Sequence, residues 1–317
     1  MSRFLVVLLL LGGSAHSAQC QNVSIQPRGQ PQSREPQASI RASVTLVLIP
    51  VSVTDRNGRT VNELQAASFS VFEDGVRRPI VSFSNEDAPC SVGIVLDLSG
   101  SMKSRISTAK EAVRSFFDNS NPQDEGFLMT FADKATLQIG FTRDFAAIQN
   151  SLVFERASGS TALIDAVYAA LGQIRSAHTG RKALLVVSDG GENHSRHSSR
   201  ELINAALESD VQIYSLVTPE HPRSLVERSE EMRGLSVLAD LSEMTGGRQF
   251  VLRNQSELPS VMAKLGTMLR NQYVLGIRPS ENASEGKWRK LKVEVHVPDR
   301  QERLRVDART RYYAPEK

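Results

Sequence analysis

A carboxylate and two hydroxyls stand at alternate positions in Asp97-Leu98-Ser99-Gly100-Ser101, directly after the apolar run 91–96, Ser-Val-Gly-Ile-Val-Leu. Oxygen donors of this kind on one short loop are, in outline, a site for a hard cation. Gly100 lets the loop turn tightly. A second apolar run, 183–188, ends in Asp189-Gly190, and Gly159-Ser160-Thr161 precedes a strongly amphipathic stretch, which puts the Thr161 hydroxyl at or near a helix start. Asp97, Ser99, Ser101, Thr161 and Asp189 are therefore the candidate metal ligands, brought from three places in the chain.

Elements must position them. Apolar runs with little polar alternation read as strands buried on both faces of a mainly parallel sheet, and ligands of such sheets bind just beyond the carboxyl ends of strands. Over residues 89–270 strands alternate with helices. Ile106, Ala109, Val113, Phe116 and Phe117 share one helical face, as do Leu163, Val167, Ala170, Leu171 and Ile174, and again Leu258, Val261, Met262, Leu265 and Leu269. Further strands are expected at 127–131, 136–141, 211–217 and 248–252, with one antiparallel hairpin around Ala132-Asp133-Lys134 at a sheet edge. The expected fold class is α/β, a doubly wound, mostly parallel sheet. Residues 40–88 and 271–313 read as β segments instead. The first holds a strand over 43–54 broken by Pro50, then a hairpin over 69–83 turning at Asp74-Gly75 with Pro79 marking an edge; the second alternates Leu291, Val293, Val295 and Val297 with polar residues. Neither is large enough for a core of its own. They are expected to pair into one sandwich-like module with the α/β domain inserted between its halves, the alternative being two separate satellites.

The DxSxS loop, the later Thr and the later Asp together resemble the metal-ion-dependent adhesion site of the von Willebrand factor A family, and all five residues match its positions. The resemblance implies Mg2+ or Mn2+, with Ca2+ fitting the same oxygen donors. It implies direct ligation by Ser99 and Ser101, ligation by Thr161 directly or through water, and action of Asp97 and Asp189 partly through bridging waters. A remaining position would take a carboxylate from an Asp or Glu of a protein partner, so the implied function is adhesion or envelope scaffolding and not catalysis. The flanks resemble bacterial relatives of the kind seen in Acidobacteria, through Glu73-Asp74-Gly75, the stretch 273–280 and the stretch 286–295. Each motif also has a plainer account. Residues 97–101 can be a turn capping a helix that begins near Arg105, Thr161 a helix cap, and Asp189 an Asp-Gly turn. A metal-assisted phosphohydrolase would need a second carboxylate two positions after Asp97, where Ser99 stands, and no G-x-S-x-G elbow is present. A structural envelope protein without metal-dependent binding is the remaining alternative. Glu192, Asn193 and His194, leaving the second strand end, are candidates for partner specificity or a solvated loop.

At 317 residues and a net charge of +3, the chain has neither the basic excess of a dedicated nucleic-acid binder nor an acidic solvating composition. Residues 1–18 have the charged start, short apolar core and small-residue end of a signal peptide, and 19–39, rich in Gln, Pro, Ser and Arg, is expected to be a disordered leader. Export to periplasm or medium follows as an expectation, with no transmembrane segment. Cys20 and Cys90 are the only cysteines; they either pair or stay free thiols. Arg303, Arg305, Arg309 and Arg311, at even spacing, are expected on one strand face, either solvated or in peripheral contact with an anionic envelope surface.

Overall fold

The computed structural model describes residues 46–85, 87–219, 224–280, 286–298 and 303–314. The signal-like segment, the leader and Cys20 lie outside the described residues. The α/β expectation holds. Six strands form the central sheet in the order β10-β9-β8-β5-β6-β7, where β5 is Cys90–Asp97, β6 Glu125–Phe131, β7 Ala135–Thr142, β8 Arg181–Ser188, β9 Gln212–Val217 and β10 Gln249–Val251. All neighbours run parallel except β7, the antiparallel edge.

Every residue of β5, β6 and β9 is buried, because helices cover both faces. On one face α1 (Ile106–Asp118), α2 (Phe145–Ser151) and α6 (Leu258–Arg270) pack Val113, Phe116, Ile148, Met262 and Leu265 against Ile94, Leu96, Leu185 and Leu216. On the other, α3 (Leu163–Gln173), α4 (Ser199–Glu208) and α5 (Leu225–Thr245) bury Val167, Leu171, Leu202, Leu238 and Leu241 against Val95, Phe127, Val186 and Ile213. Burial of large aliphatic and aromatic side chains stabilises by roughly 1.5–3 kcal/mol each, so the two cores hold the strand ends rigidly.

The flanking strands form two four-stranded antiparallel sheets, each built from both ends of the chain. In one, β13 (Arg305–Ala308), β1 (Val47–Thr54), β11 (Tyr273–Ile277) and β4 (Ile80–Ser84) follow in that order; in the other, β14 (Arg311–Tyr313), β12 (Trp288–Val295), β2 (Phe69–Glu73) and β3 (Val76–Arg78). They share one core of Ile49, Val51, Val71, Leu275, Ile277 and Leu291 with Phe69 and Tyr273, whose rings lie 4.9 Å apart. The Tyr273 hydroxyl donates to the Val61 carbonyl at 2.6 Å and accepts from the Leu64 N–H at 3.0 Å, pinning the 60–65 loop.

Three local expectations are corrected. Pro50 does not break β1; it sits in the half of the strand that pairs with β11 alone, where a missing N–H leaves no second neighbour unsatisfied. Pro79 does lie at an edge, since β3 and β4 on either side of it are each the outermost strand of their sheet, but the expected single strand over 76–83 is two: β3 pairs with β2 in one sheet and β4 with β11 in the other, so the proline also marks the crossing between sheets. The arginines do not share one face. Arg305 pairs with Asp307, Arg309 turns inward to Asp210 and the Leu48 carbonyl, and Arg311 belongs to the other sheet.

Candidate metal centre

β5 and β8 are adjacent and parallel, with Leu96 opposite Val187, so the chain delivers Asp97 and Ser188 side by side and Asp189 one step beyond. Asp97 is wholly buried. Its Oδ1 accepts the Ser99 N–H at 2.8 Å and its Oδ2 the Ser188 hydroxyl at 2.6 Å. The loop then enters a short 3-10 turn, Gly100–Ser104, with Ser99 at its head and no side-chain cap on either this turn or α1. Ser99 Oγ lies 3.1 Å from Ser101 Oγ, which is on the exposed side.

Thr161 arrives on the loop between α2 and α3, which is stitched to the first loop by the Gly100 N–H to the Gly159 carbonyl, 2.9 Å, and the Ser158 N–H to the Leu98 carbonyl, 2.7 Å. Gly159 has φ +89°, and a Cβ there would stand 2.8 Å from Asp133 Oδ2, whose carboxylate takes the Ser160 N–H at 2.7 Å. The Thr161 hydroxyl does not cap α3. Its N-cap is Ala162, and the Ile164 N–H is taken by Glu192 Oε2 at 2.9 Å. The third loop is tied to the second through the Asn193 and His194 N–H groups, both donating to the Thr161 carbonyl at 3.0 and 3.1 Å, and through Asn193 Oδ1, which accepts the Thr161 N–H at 2.9 Å.

All five candidate residues thus meet at the carboxyl ends of β5 and β8. Asp97, Ser99, Thr161 and Asp189 are at most 4% exposed. Ser101, Thr161 and Asp189 line a cleft of about 430 Å³. Asp189 Oδ1 accepts the Gly191 N–H at 2.9 Å, whereas no hydrogen bond is made by the Thr161 hydroxyl among the described residues. A Cβ at Gly191 would lie 3.2 Å from Thr161 Oγ1 and 3.3 Å from Asp189 Oδ1, so both oxygens face one small space that a methyl group would crowd. Burial, and then the neighbouring Asp189 carboxylate, push Asp97 up to about 7 against the opposing hydrogen bonds from Ser188 and Ser99. Two close buried carboxylates of this kind are relieved by a cation. Among the described residues no three His, Cys, Asp or Glu side chains are grouped to hold a metal; a cation here must draw on hydroxyl oxygens, and the donor set suits a hard ion.

Some residues that support or border the candidate site were not evident from sequence. Ser188 is the last residue of a buried strand, and a hydroxyl in that place is the signal that could have singled it out. Glu192, read as a candidate for partner contact, is 4% exposed and occupied internally with Ile164 and with Ser195, whose hydroxyl donates to it at 2.8 Å. The cleft's other side, Glu227, Glu230 and Glu231 of α5, carried no motif. Among the described residues Cys90 has no disulfide partner; its thiol is buried, and burial pushes it up to about 12. No helix among the described residues is long and apolar enough to cross a membrane.

Residues 92–192, within the central α/β domain, match the von Willebrand factor type A domain family. It is 28% identical over 182 residues to an uncharacterised protein of Borreliella burgdorferi, covering 50% of this chain and 53% of the relative, so it spans about half the length of the curated relative it matches. Solved structures of similar fold include a von Willebrand factor type A protein from Catenulispora acidiphila, 12% identical with TM-score 0.48 over 78% of this chain and 76% of that one. BatB from Bacteroides thetaiotaomicron is 17% identical with TM-score 0.45 over 56% and 98%. Proximal thread matrix protein 1 of the mussel byssus, with a zinc-occupied MIDAS motif, is 17% identical with TM-score 0.48 over 62% and 49%.

Proposed function

We propose that this chain is a non-enzymatic binding protein, acting outside the cytoplasm, that holds a divalent cation through Asp97, Ser99, Ser101, Thr161 and Asp189 and takes up an Asp or Glu carboxylate of a protein partner there. Mg2+ suits the hard donors best, with Mn2+ and Ca2+ as substitutes. The observation that carries the reading is that Thr161 Oγ1 and Asp189 Oδ1, on residues at most 4% exposed, face the same space at Gly191, and that the hydroxyl makes no hydrogen bond among the described residues. The hydroxyl opens on the cleft with no internal partner among the described residues, which leaves its lone pairs available to a cation. The cation would supply a coordination place for an outside oxygen. The chain's part is to hold the donors in register and leave that place reachable from the cleft. Adhesion or envelope scaffolding is the use such a site has for an exported protein.

Calorimetric titration of the full chain with Mg2+, alongside thermal unfolding, tests this. Binding is expected, with an upward shift of Tm, and Thr161→Ala or Asp189→Asn should weaken it about tenfold or more while the variants remain folded. Absence of both heat and Tm shift in the parent chain, or undiminished binding by both variants, would overturn the reading.

A further inference from the structure

The sheet β14-β12-β2-β3 buries one face in the core it shares with its neighbour and turns the other outward, and the outward face is basic. Leu291 and Tyr312 belong to the core, so Lys290, Lys292 and Arg311, which alternate with them, point away from it. The ladders set these side chains in rows. Lys290 lies opposite Arg311, and Lys292 lies opposite Phe72, which in turn lies opposite Arg77 on the edge strand. Neighbours on this face are therefore about 5 Å apart across the strands and about 7 Å apart along them. Lys292 is ion-paired with Glu294, and Asp74 is bonded to the Arg289 guanidinium and lies in the field of Lys290. The exposed Arg77 and Arg311 guanidinium groups make no ion pair among the described residues.

A second observation is independent of charge. The end of α5 stands beside this face and leaves a groove of about 620 Å³, lined by the apolar Phe72, Leu291 and Met244 as well as by Lys290, Lys292 and Arg311. Its wall is fastened, since the Thr310 N–H donates to the Met244 carbonyl at 3.1 Å and the Leu291 N–H to the Thr310 carbonyl at 2.7 Å. The groove is thus formed before any guest arrives. Two residues along from Lys290, Trp288 stands opposite Tyr313 with the rings 5.4 Å apart, edge to face. Aromatic surface interleaved with cations suits a chain of rings that carry anionic groups, each ring laying its C–H face on an aromatic side chain while its charge meets a cation. A flat bilayer does not enter a groove. A nucleic-acid strand would bring a phosphate at every step past Glu294, whereas sugar hydroxyls can donate to that carboxylate. We propose that this groove binds a linear acidic polysaccharide, with carboxylates on Lys290, Arg311 and Arg77 and a sugar ring on Phe72. Metal centre and groove lie at opposite ends of α5 and share no lining residue, so the proposal stands apart from the cation reading.

The test is calorimetric titration of the full chain in chelator, which keeps the metal centre out of the measurement, with four hexamers: galacturonate, its methyl ester, glutamate and thymidylate. Galacturonate should bind about tenfold or more tightly than the ester, which has rings without charge, and than hexaglutamate, which has charge without rings; its affinity should fall as salt is raised. Arg77→Gln combined with Arg311→Gln should weaken galacturonate about tenfold and flatten the salt dependence. Phe72→Leu should bring galacturonate down to the level of hexaglutamate. Thermal unfolding reports whether the variants are folded; should Phe72→Leu not fold, the double arginine variant, altered only at exposed side chains, decides alone. No binding of galacturonate by the parent chain, or equal binding of hexaglutamate, overturns the proposal. Tighter binding of thymidylate overturns it in favour of a nucleic-acid strand, and tighter retention on phosphatidylglycerol vesicles in favour of a membrane surface. Undiminished affinity in the double arginine variant at parental Tm would put the ligand elsewhere on the molecule and overturn the assignment as well.

Discussion

Gly191 is the residue on which the site's openness turns. Its position lacks the atom that would fill the space between Thr161 Oγ1 and Asp189 Oδ1, and contacts of 3.2 and 3.3 Å to a new methyl group are tight but can be relieved by small shifts. Gly191→Ala is therefore expected to cost about 1 kcal/mol of stability while lowering Mg2+ affinity about tenfold or more; unchanged affinity in titration calorimetry would mean that this space is not where the cation sits. The candidate residues themselves were legible because two apolar runs each end in Asp, and the rule that parallel sheets bind at their carboxyl ends brings such ends together. What could not be read was the support beneath them. Ser188 and Glu192 look like ordinary loop-entry residues in sequence, and their value lies in hydrogen bonds across 91 and 28 positions, to Asp97 and Ile164, which no local pattern carries.

At the level of elements, α5 is the part of the fold that periodicity hid. Its buried positions include Gly234, Ser242 and Thr245 beside Val237, Leu238 and Leu241, so the apolar stripe that exposes a surface helix in sequence is interrupted by small and polar residues. The helices around Val113, Val167 and Leu265, with aliphatic stripes, were legible. Gly234 explains the exception: a Cβ there would stand 2.1 Å from the Gly190 carbonyl oxygen, and Gly190, at φ +96°, approaches Leu235 in turn. This close contact sets the acidic end of α5 over the cleft. Gly234→Ala should lower stability by about 3 kcal/mol and weaken Mg2+ binding by displacing the Asp189 loop; a variant with parental Tm and affinity would show that the helix moves away freely. At the opposite end of the sheet, Glu125 of β6 fixes the turn into β8. Burial alone would raise its pKa, but the Ser91 hydroxyl at 2.6 Å, the His178 N–H at 2.7 Å and the His178 ring hold it below its ordinary 4.5. A depressed carboxylate contributes stability above its unfolded value, and that contribution is lost as pH falls from about 4.5 through the lower folded value. Glu125→Gln should accordingly be less stable at neutral pH by about 1–3 kcal/mol and show a shallower acid limb in denaturant titrations, whereas parallel curves for the two proteins would rule this contribution out.

Across the whole molecule, the domain carrying the cleft and the paired β segments are joined at more than the two chain crossings. Arg248, just before β10, is ion-paired with Asp307 of β13 and donates to Thr54 Oγ1 of β1 at 2.9 Å, with both charged groups under 10% exposed. Gln272 Nε2 donates to Gln212 Oε1 at 2.6 Å across the same boundary. That strands from both ends of the chain share sheets was legible from the alternation around Val293 and from the inadequate size of each segment; their division between two sheets was not, because the crossing at Pro79 is a matter of tertiary position. The junction bears on whether cation binding is communicated to the β-module through α6, the last helix before it. The Arg270 carbonyl at its end accepts from Arg181 Nη1 at 2.6 Å, and the Arg270 side chain donates to the Asn119 carbonyl at 2.9 Å. Only Asn271 and Gln272 separate it from β11, which is hydrogen-bonded to β1 on one side and β4 on the other. Sliding α6 would break this ladder on both edges, so the helix is fastened where a transmitting helix would need to travel. Deuterium exchange followed with and without Mg2+ should therefore show slowing at 97–104, 158–162 and 188–195, by up to about a hundredfold at a hundredfold excess over Kd, and no change over 258–277. Altered exchange in that last segment would show instead that α6 yields, and that its fastening to β11 relays the state of the cleft into the β-module.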